Sequence, residues 1–337
     1  MAEKEPISIL VSEIDQHPAW LAWRQIDDGK YAPQIIEVLK QHRKSEIYRL
    51  LEGTPGGWSI IAKHCLNETG KLERLIYEEI LPSLPISQLR YYGCIEVTES
   101  DAWIFMEDAG QEPFSPADES HRLLAAQWLG VLHRSARQTS ASQILPPRGP
   151  AYYLELMRRG RENIVQNLAN PALTPEYIDV LNSILTQMDA LESNWERLSK
   201  FCQDFPQTLV HADFQPKNIR IKQGAAGNVL YVMDWEMAGW GIPVVDLAPS
   251  HGMPSSAEVD LSAYLAIAQE FWQNLDMPTL QFALHIGCVF RRVAAIYWSS
   301  GGLSYPWLDE PILSMEIYRK EIVQALTYVF GEELGEE

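Results

Sequence analysis

An α+β fold of two lobes, a small β-rich N-terminal lobe and a larger, mainly helical C-terminal lobe, is predicted from three features of the sequence. Between about residues 34 and 107, short β-prone runs alternate with turn residues. From about residue 111 onward, apolar side chains recur at steps of three and four, the spacing of amphipathic helices. That helical stretch is interrupted once, where two short apolar runs joined by a Gly-Ala-Ala-Gly turn are bracketed by clustered polar residues. The predicted boundaries are a helical N-terminal extension at 1–33, an N-lobe at 34–110 and a C-lobe at 111–337.

The elements follow in order. In the extension, Ile9, Leu10, Ile14, Trp20, Leu21 and Trp23 supply apolar contacts, and Pro18 is expected to break the segment. QIIEVLKQH reads as the first strand. EIYRLLEG and GWSIIAKHC read as a hairpin across Thr54-Pro55-Gly56. LERLIYEEILPSL reads as one helix with Leu72, Leu75, Ile76 and Ile80 on one face, ended by Pro82. YYGCIEV and AWIFMED complete the strands of the N-lobe. Beyond them, Leu124, Trp128, Val131 and Leu132 form a helical stripe. The series Ile178, Leu181, Leu185, Met188, Leu191, Trp195 and Leu198 predicts one long amphipathic helix. The interrupting hairpin is NIRIK and NVLYVMDW, turned at Gly224–Gly227. The last 70 or so residues read as mostly helical, ending in the acidic tail GEELGEE.

Composition narrows the function. The 337 residues are 46% hydrophobic and 21% charged, which suits a packed core and argues against global disorder. With 45 acidic against 27 basic residues and a net charge of −18, the chain is a poor candidate for binding nucleic acid, which requires phosphate neutralisation. The acidic balance is compatible with a cationic partner; the same excess also simply keeps a protein soluble. Four cysteines without a C-x-x-C pair suggest neither a zinc site nor a redox motif, so a reduced, cytoplasmic setting is the simplest inference. The N-terminus does not read as a signal peptide. No uninterrupted apolar stretch is long enough for a membrane span.

Phosphoryl transfer from ATP needs a carboxylate at the attacking hydroxyl, oxygen ligands for magnesium, a cation at the phosphates and a group that fixes that cation. His211-Ala212-Asp213-Phe214-Gln215-Pro216-Lys217-Asn218 has the H-x-D-x-x-x-x-N spacing of a kinase catalytic loop. Asp213 would accept the hydroxyl proton, and Asn218 would offer an oxygen to magnesium. Asp234 follows sixteen residues later, across the hairpin, as the second candidate metal ligand. Because a hairpin reverses the chain, Asn218 and Asp234 can return to one end of it.

Taken together, LVHADFQPKN, YVMDWE and GIPVVDLA resemble the aminoglycoside phosphotransferase and choline kinase family within the protein-kinase-like superfamily. The resemblance spans about residues 34–250 and implies a protein-kinase-like fold, ATP and Mg²⁺ as cofactors, and a small-molecule hydroxyl as acceptor. It implies that Lys63 contacts the α/β-phosphates, that Glu73 pairs with Lys63, and that backbone groups near Glu107 and Asp108, in the inter-lobe hinge, hold adenine. It makes Asp246 structural and matches WLGVLH, with His133, to the family's L-H helix. His211 would shape the catalytic loop by hydrogen bonding, and Glu236 would touch a metal or order its loop.

Two departures stand out. Ala212 replaces the family's usual glycine, which is a strained choice if that position needs a positive φ. The phosphate loop, expected at residues 41–46, holds no glycine, and the resemblance implies Ser45 as a donor to phosphate there. Against a protein Ser/Thr kinase stand Ala212, where arginine is common, and the eleven residues between Asp234 and Asp246, too few for an ordinary activation segment. A nucleotide-binding pseudokinase is the alternative of a different class. The acceptor reads as an amino alcohol, an amino sugar or a sugar, with a cationic one favoured by the acidic balance. Arg291 and Arg292 fit either core ion pairs or acceptor contacts.

Overall fold

The computed structural model describes residues 7–331 apart from 10, 28–29, 43–44, 55, 226 and 253–257. Leu10 of the extension, Arg43 and Lys44 of the expected phosphate loop, the turn residues Pro55 and Ala226, and the tail beyond Gly331 lie outside the described residues. In chain order the elements are β1 (Ile7–Ile9), α1 (Pro18–Trp23), β2 (Ile35–His42), β3 (Ser45–Leu51), β4 (Ser59–Leu66), α2 (Asn67–Leu75), β5 (Tyr91–Glu96), β6 (Asp101–Glu107), α3 (Glu119–Ala136), α4 (Ala141–Ile144) and β7 (Pro147–Arg148). There follow α5 (Pro150–Asn167), α6 (Pro175–Ser193), α7 (Trp195–Phe201), β8 (Thr208–Val210), β9 (Ile219–Gly224), β10 (Gly227–Val232), β11 (Gly239–Gly241), α8 (Val244–Leu247), α9 (Leu261–Ala268), α10 (Met277–Ser300) and α11 (Asp309–Phe330). The chain divides into two compact units, Met1–Phe114 with Lys217–Glu236, and Ser115–Pro216 with Met237–Glu337.

The first unit is built on a six-stranded sheet of order β1-β2-β3-β4-β6-β5, antiparallel throughout. Side chains alternate between its faces. One face carries Ile36, Tyr48, Leu50, Ile60, Ala62, Trp103 and Phe105, and the extension covers it with Ile14, Trp20 and Trp23. The extension is therefore not purely helical, because β1 joins the sheet edge beside β2. Pro18 does break the segment, since a 3₁₀ turn over Val11–Gln16 ends just before it. Pro18 then opens α1, where its missing N–H costs nothing, and the His17 ring accepts from Ala19 N at 3.2 Å. The helix expected around Leu72–Ile80 begins earlier, at Asn67, and widens into a π turn at Ile76–Ile80. The hairpin β9–β10 belongs to this unit, with Ile219 opposite Val232 and Met233 N donating to Asn218 O at 3.0 Å.

The second unit is helical with one small sheet, β7-β11-β8, whose strands of two or three residues are too short to show as alternation in the sequence. The single long helix expected over residues 178–198 is two, α6 and α7, broken at Asn194. There the Asn194 amide side chain donates back to Ala190 O at 3.0 Å, the local competition that makes Asn a poor helix-interior residue. At the centre lies α10. It is long and apolar enough to cross a membrane by composition, yet 72% of its apolar window is buried in this unit, as befits a core helix. Gly287 of α10 packs so closely on α8 that a Cβ there would stand 2.4 Å from Val244 O. That approach seats Asp246 against the core.

Candidate active site

The inner face of the first unit's sheet walls a cavity of about 360 Å³. Lys40, Arg49 and Lys63 come to it from the sheet, Asn218 and Arg220 from the entry to the hairpin, and Asp234 from its exit. In a chain with so many more acids than bases, this cavity is rich in cations.

Lys63 is 5% exposed and holds two carboxylates at once: Glu73 Oε1 at 2.6 Å and Asp234 Oδ1 at 2.5 Å. Burial pulls the Lys63 ammonium down, but Glu73, Asp234 and Glu236 together outweigh it and hold it well above the usual lysine value. Glu73 is fully buried. Burial pushes its carboxyl up to about 7 against the attraction of Lys63, and the charges of Asp234 and Glu236 push the same way. Three carboxylates thus compete for one ammonium. Asp234 sits at φ 67, the left-handed region that costs a non-glycine residue strain. Asn218 is buried beside it in the lining. Glu236 is exposed, and its charge is felt by Lys63 and Glu73.

Glu107 and Asp108 also line the cavity, where β6 ends. The Asp108 carboxylate accepts from Arg49 Nε and Ser59 Oγ, both at 2.7 Å. Burial works against its charge, but these donors hold Asp108 below the usual carboxylate value. Lys222 donates to Glu107 Oε1 at 2.7 Å and to the Asp108 carbonyl at 2.8 Å, so that carbonyl is already engaged. Ser45 opens β3 outside the cavity lining.

In the second unit, β8 leads directly into the loop at residues 211–216. Asp246 holds its start, accepting from His211 N at 2.8 Å and Ala212 N at 2.7 Å, and lies 3.2 Å from His133 Nε2. His133 is wholly buried, with Tyr264 Oη 2.9 Å from its other ring nitrogen. Ala212 does adopt a positive φ, of 61°. Asp213 N donates to His211 Nδ1 at 3.3 Å, and Gln215 Nε2 donates to the Asp213 carboxylate. From α10, Arg291 donates to Phe214 O at 2.8 Å and Ala248 O at 3.2 Å, and its guanidinium lies 3.7 Å from Asp213 Oδ1. Arg292 pairs with Glu321 of α11 and donates to Pro249 O and Gly252 O, each at 2.9 Å. Within this unit the two arginines are buried tethers for the candidate catalytic loop and the segment after Asp246.

The structure therefore gathers Lys63, Glu73, Glu107, Asp108, Asn218 and Asp234 in the first unit, and His211, Asp213 and Asp246 in the second. The sequence did not single out Arg49, Lys222 or Gln215. The one available signal was that each is a polar residue in an apolar run or beside a motif.

A family model described as the phosphotransferase enzyme family matches residues 65–280. No curated protein matches the chain. Among solved structures, the GDP and kanamycin complex of APH(2″)-IIia is similar at a TM-score of 0.60 and 13% identity, covering 89% of this chain and 97% of that one. A choline kinase from Cryptosporidium parvum Iowa II is similar at 0.58 and 13% identity, covering 94% and 93%. A microcompartment-associated aminopropanol kinase is similar at 0.58 and 13% identity, covering 89% and 94%. These likenesses establish the two-lobed, kinase-like fold, and the family match, which spans well over half of the chain, makes this protein a member of the phosphotransferase enzyme family.

Proposed function

We propose that the protein transfers the γ-phosphoryl group of ATP to a hydroxyl of a small molecule, an amino alcohol, amino sugar or sugar. The observation that carries this reading is the Lys63–Glu73–Asp234 constellation in a cation-lined cavity. Lys63, held by Glu73, would neutralise the α/β-phosphates, and the segment at Glu107 and Asp108 would flank the base. Ser45, at the β2–β3 turn, is a further candidate phosphate donor. Asp213 would take the proton of the attacking hydroxyl, a role for which its loop is fixed by Asp246 and Arg291.

The donor set suits magnesium. Asn218 and Asp234 offer oxygen atoms only, and among the described residues no three His, Cys, Asp or Glu side chains cluster as they would for a softer metal. A Mg²⁺ ion takes few protein ligands because the phosphates supply others; bound here it would offset the negative charge of the triphosphate. Glu236 is a candidate for ordering the metal loop. The acidic chain favours a cationic acceptor, and the names of the similar choline and aminopropanol kinases point to amino alcohols as the first compounds to try. A cytoplasmic setting accords with four free cysteines.

The test is release of ADP from Mg-ATP across a panel of hydroxyl compounds, with wild type and Asp213→Asn. The variant should bind ATP as well as wild type and lose roughly 10²–10⁴ in rate, the usual contribution of a general base. Equal turnover by both proteins would remove Asp213 from the mechanism. Binding of Mg-ATP with no turnover on any compound would favour the pseudokinase reading.

A further inference from the structure

Along β2, Ile36 and Val38 both face the core that α1 covers. Strict alternation would send Lys40 the same way. It does not go there, because the β2–β3 register shifts between Val38 and Lys40: Val38 pairs with Tyr48, and Lys40 pairs with Ile47. The extra residue, Leu39, is a bulge, and it turns Lys40 onto the cavity face beside Ile47 and Arg49. Bulges next to binding sites commonly re-aim a side chain in this way.

We propose that Lys40 is a polyphosphate-binding residue, and that the β2 bulge presents its ammonium to the nucleotide in place of the backbone amides of a glycine-rich loop. The proposal rests on the nucleotide-binding reading above. A glycine-rich loop works because backbone N–H groups can approach phosphate without a Cβ in the way. Here the β2–β3 connection contains no glycine, and His42 pairs directly with Ser45. Without a glycine there, Cβ atoms hinder a close approach of backbone amides to phosphate, so the charge must come from side chains. The four other cavity cations, Arg49, Lys63, Lys217 and Arg220, all have partners. Lys63 holds Glu73 and Asp234, Arg49 holds Glu37 at 2.9 Å and Asp108 at 2.7 Å, and Arg220 donates to the carbonyls of Lys217 and Ile219. Lys40 is exposed and makes no ion pair among the described residues.

The experiment is calorimetric binding of ATP, ADP, adenosine and inorganic tripolyphosphate to wild type, Lys40→Met and Lys40→Arg. Lys71→Met, an exposed cation on α2 away from the cavity, controls for loss of charge alone. Lys40→Met should weaken ATP and tripolyphosphate by roughly tenfold, as loss of one charge-assisted contact would, and leave adenosine unchanged. Lys40→Arg should restore most of the loss, and Lys71→Met should show none. ATP binding equal in wild type and Lys40→Met would overturn the role of Lys40 while leaving the nucleotide reading intact. The same loss in Lys71→Met would also overturn it, as an effect of net charge. If wild type binds ATP no better than adenosine, the nucleotide reading falls and Lys40 with it.

Discussion

Glu73 is fully buried beside Lys63, and that burial, reinforced by the nearby charges of Asp234 and Glu236, has a pH signature. The Glu73 carboxyl is raised in the folded protein from 4.5 to about 7, so the fold binds a proton that the unfolded chain has released. Stability from this group is fully present below about 4.5 and is lost as pH rises toward 7 and beyond. Glu73→Gln should flatten that decline, which chemical denaturation of the nucleotide-free protein at several pH values would reveal. A wild-type profile with the same slope as the variant would show that Glu73 does not titrate there. Ala212, at φ 61, shows a different tension at the same scale. The resemblance had flagged it as the residue standing where glycine is usual, and the backbone does demand the left-handed region that glycine occupies freely. Two hydrogen bonds to Asp246 bracket that strain.

Among elements, α10 does the most to fix the second unit. Arg292 on it is 1% exposed and pairs with Glu321, itself nearly buried. Replacing Arg292 with Met would leave a buried carboxylate without its cation, a change that costs about 3–5 kcal/mol. Urea denaturation should show a loss of that order, and a loss under about 1 kcal/mol would mean that Glu321 finds water instead. The elements also show what a sequence can and cannot announce. The hairpin β9–β10 was legible because its apolar runs, turn and polar flanks are contiguous. The division between α6 and α7 was not, since Leu191, Trp195 and Leu198 keep helical spacing across Asn194 while the backbone leaves it. The bulge at Leu39 is equally silent: nothing in VLKQH distinguishes a regular strand from one with an inserted residue. Arg291, Arg49 and Lys222 were illegible as partners for a further reason. Their contacts lie 77, 59 and 115 positions away, and two of the three reach backbone carbonyls, which every residue has.

At the scale of the molecule, the two-lobed α+β fold was readable from the change in periodicity near residue 111, and the family from three short motifs. The unit to which the hairpin belongs was not readable, because its sequence neighbours on both sides fold with the second unit. Ligand linkage tests the whole chain at once. At 100 times its dissociation constant, Mg-ATP should stabilise wild type by about 2.7 kcal/mol. In Asp234→Ala the magnesium-dependent part of that gain should vanish in a thermal-shift assay. An equal rise in melting temperature for both proteins would remove Asp234 from the metal site.

The hairpin's allegiance also governs how this chain can be taken apart. Neither unit is a continuous stretch of sequence: the polypeptide passes from one to the other after Phe114, after Pro216 and after Glu236. No single cut therefore releases either unit whole. A gene fragment ending at Phe114 would encode the large sheet without Asn218, Asp234 or the strand pair between them. It would also lose Ile221, whose amide donates to Glu112 O at 3.0 Å. A separable first unit would have to be made by joining residue 114 to residue 217 through a new linker. Dissection, recombination or domain exchange in this protein must respect that interleaving, and boundaries drawn at a single point in the sequence will divide the candidate metal ligands from the sheet they serve.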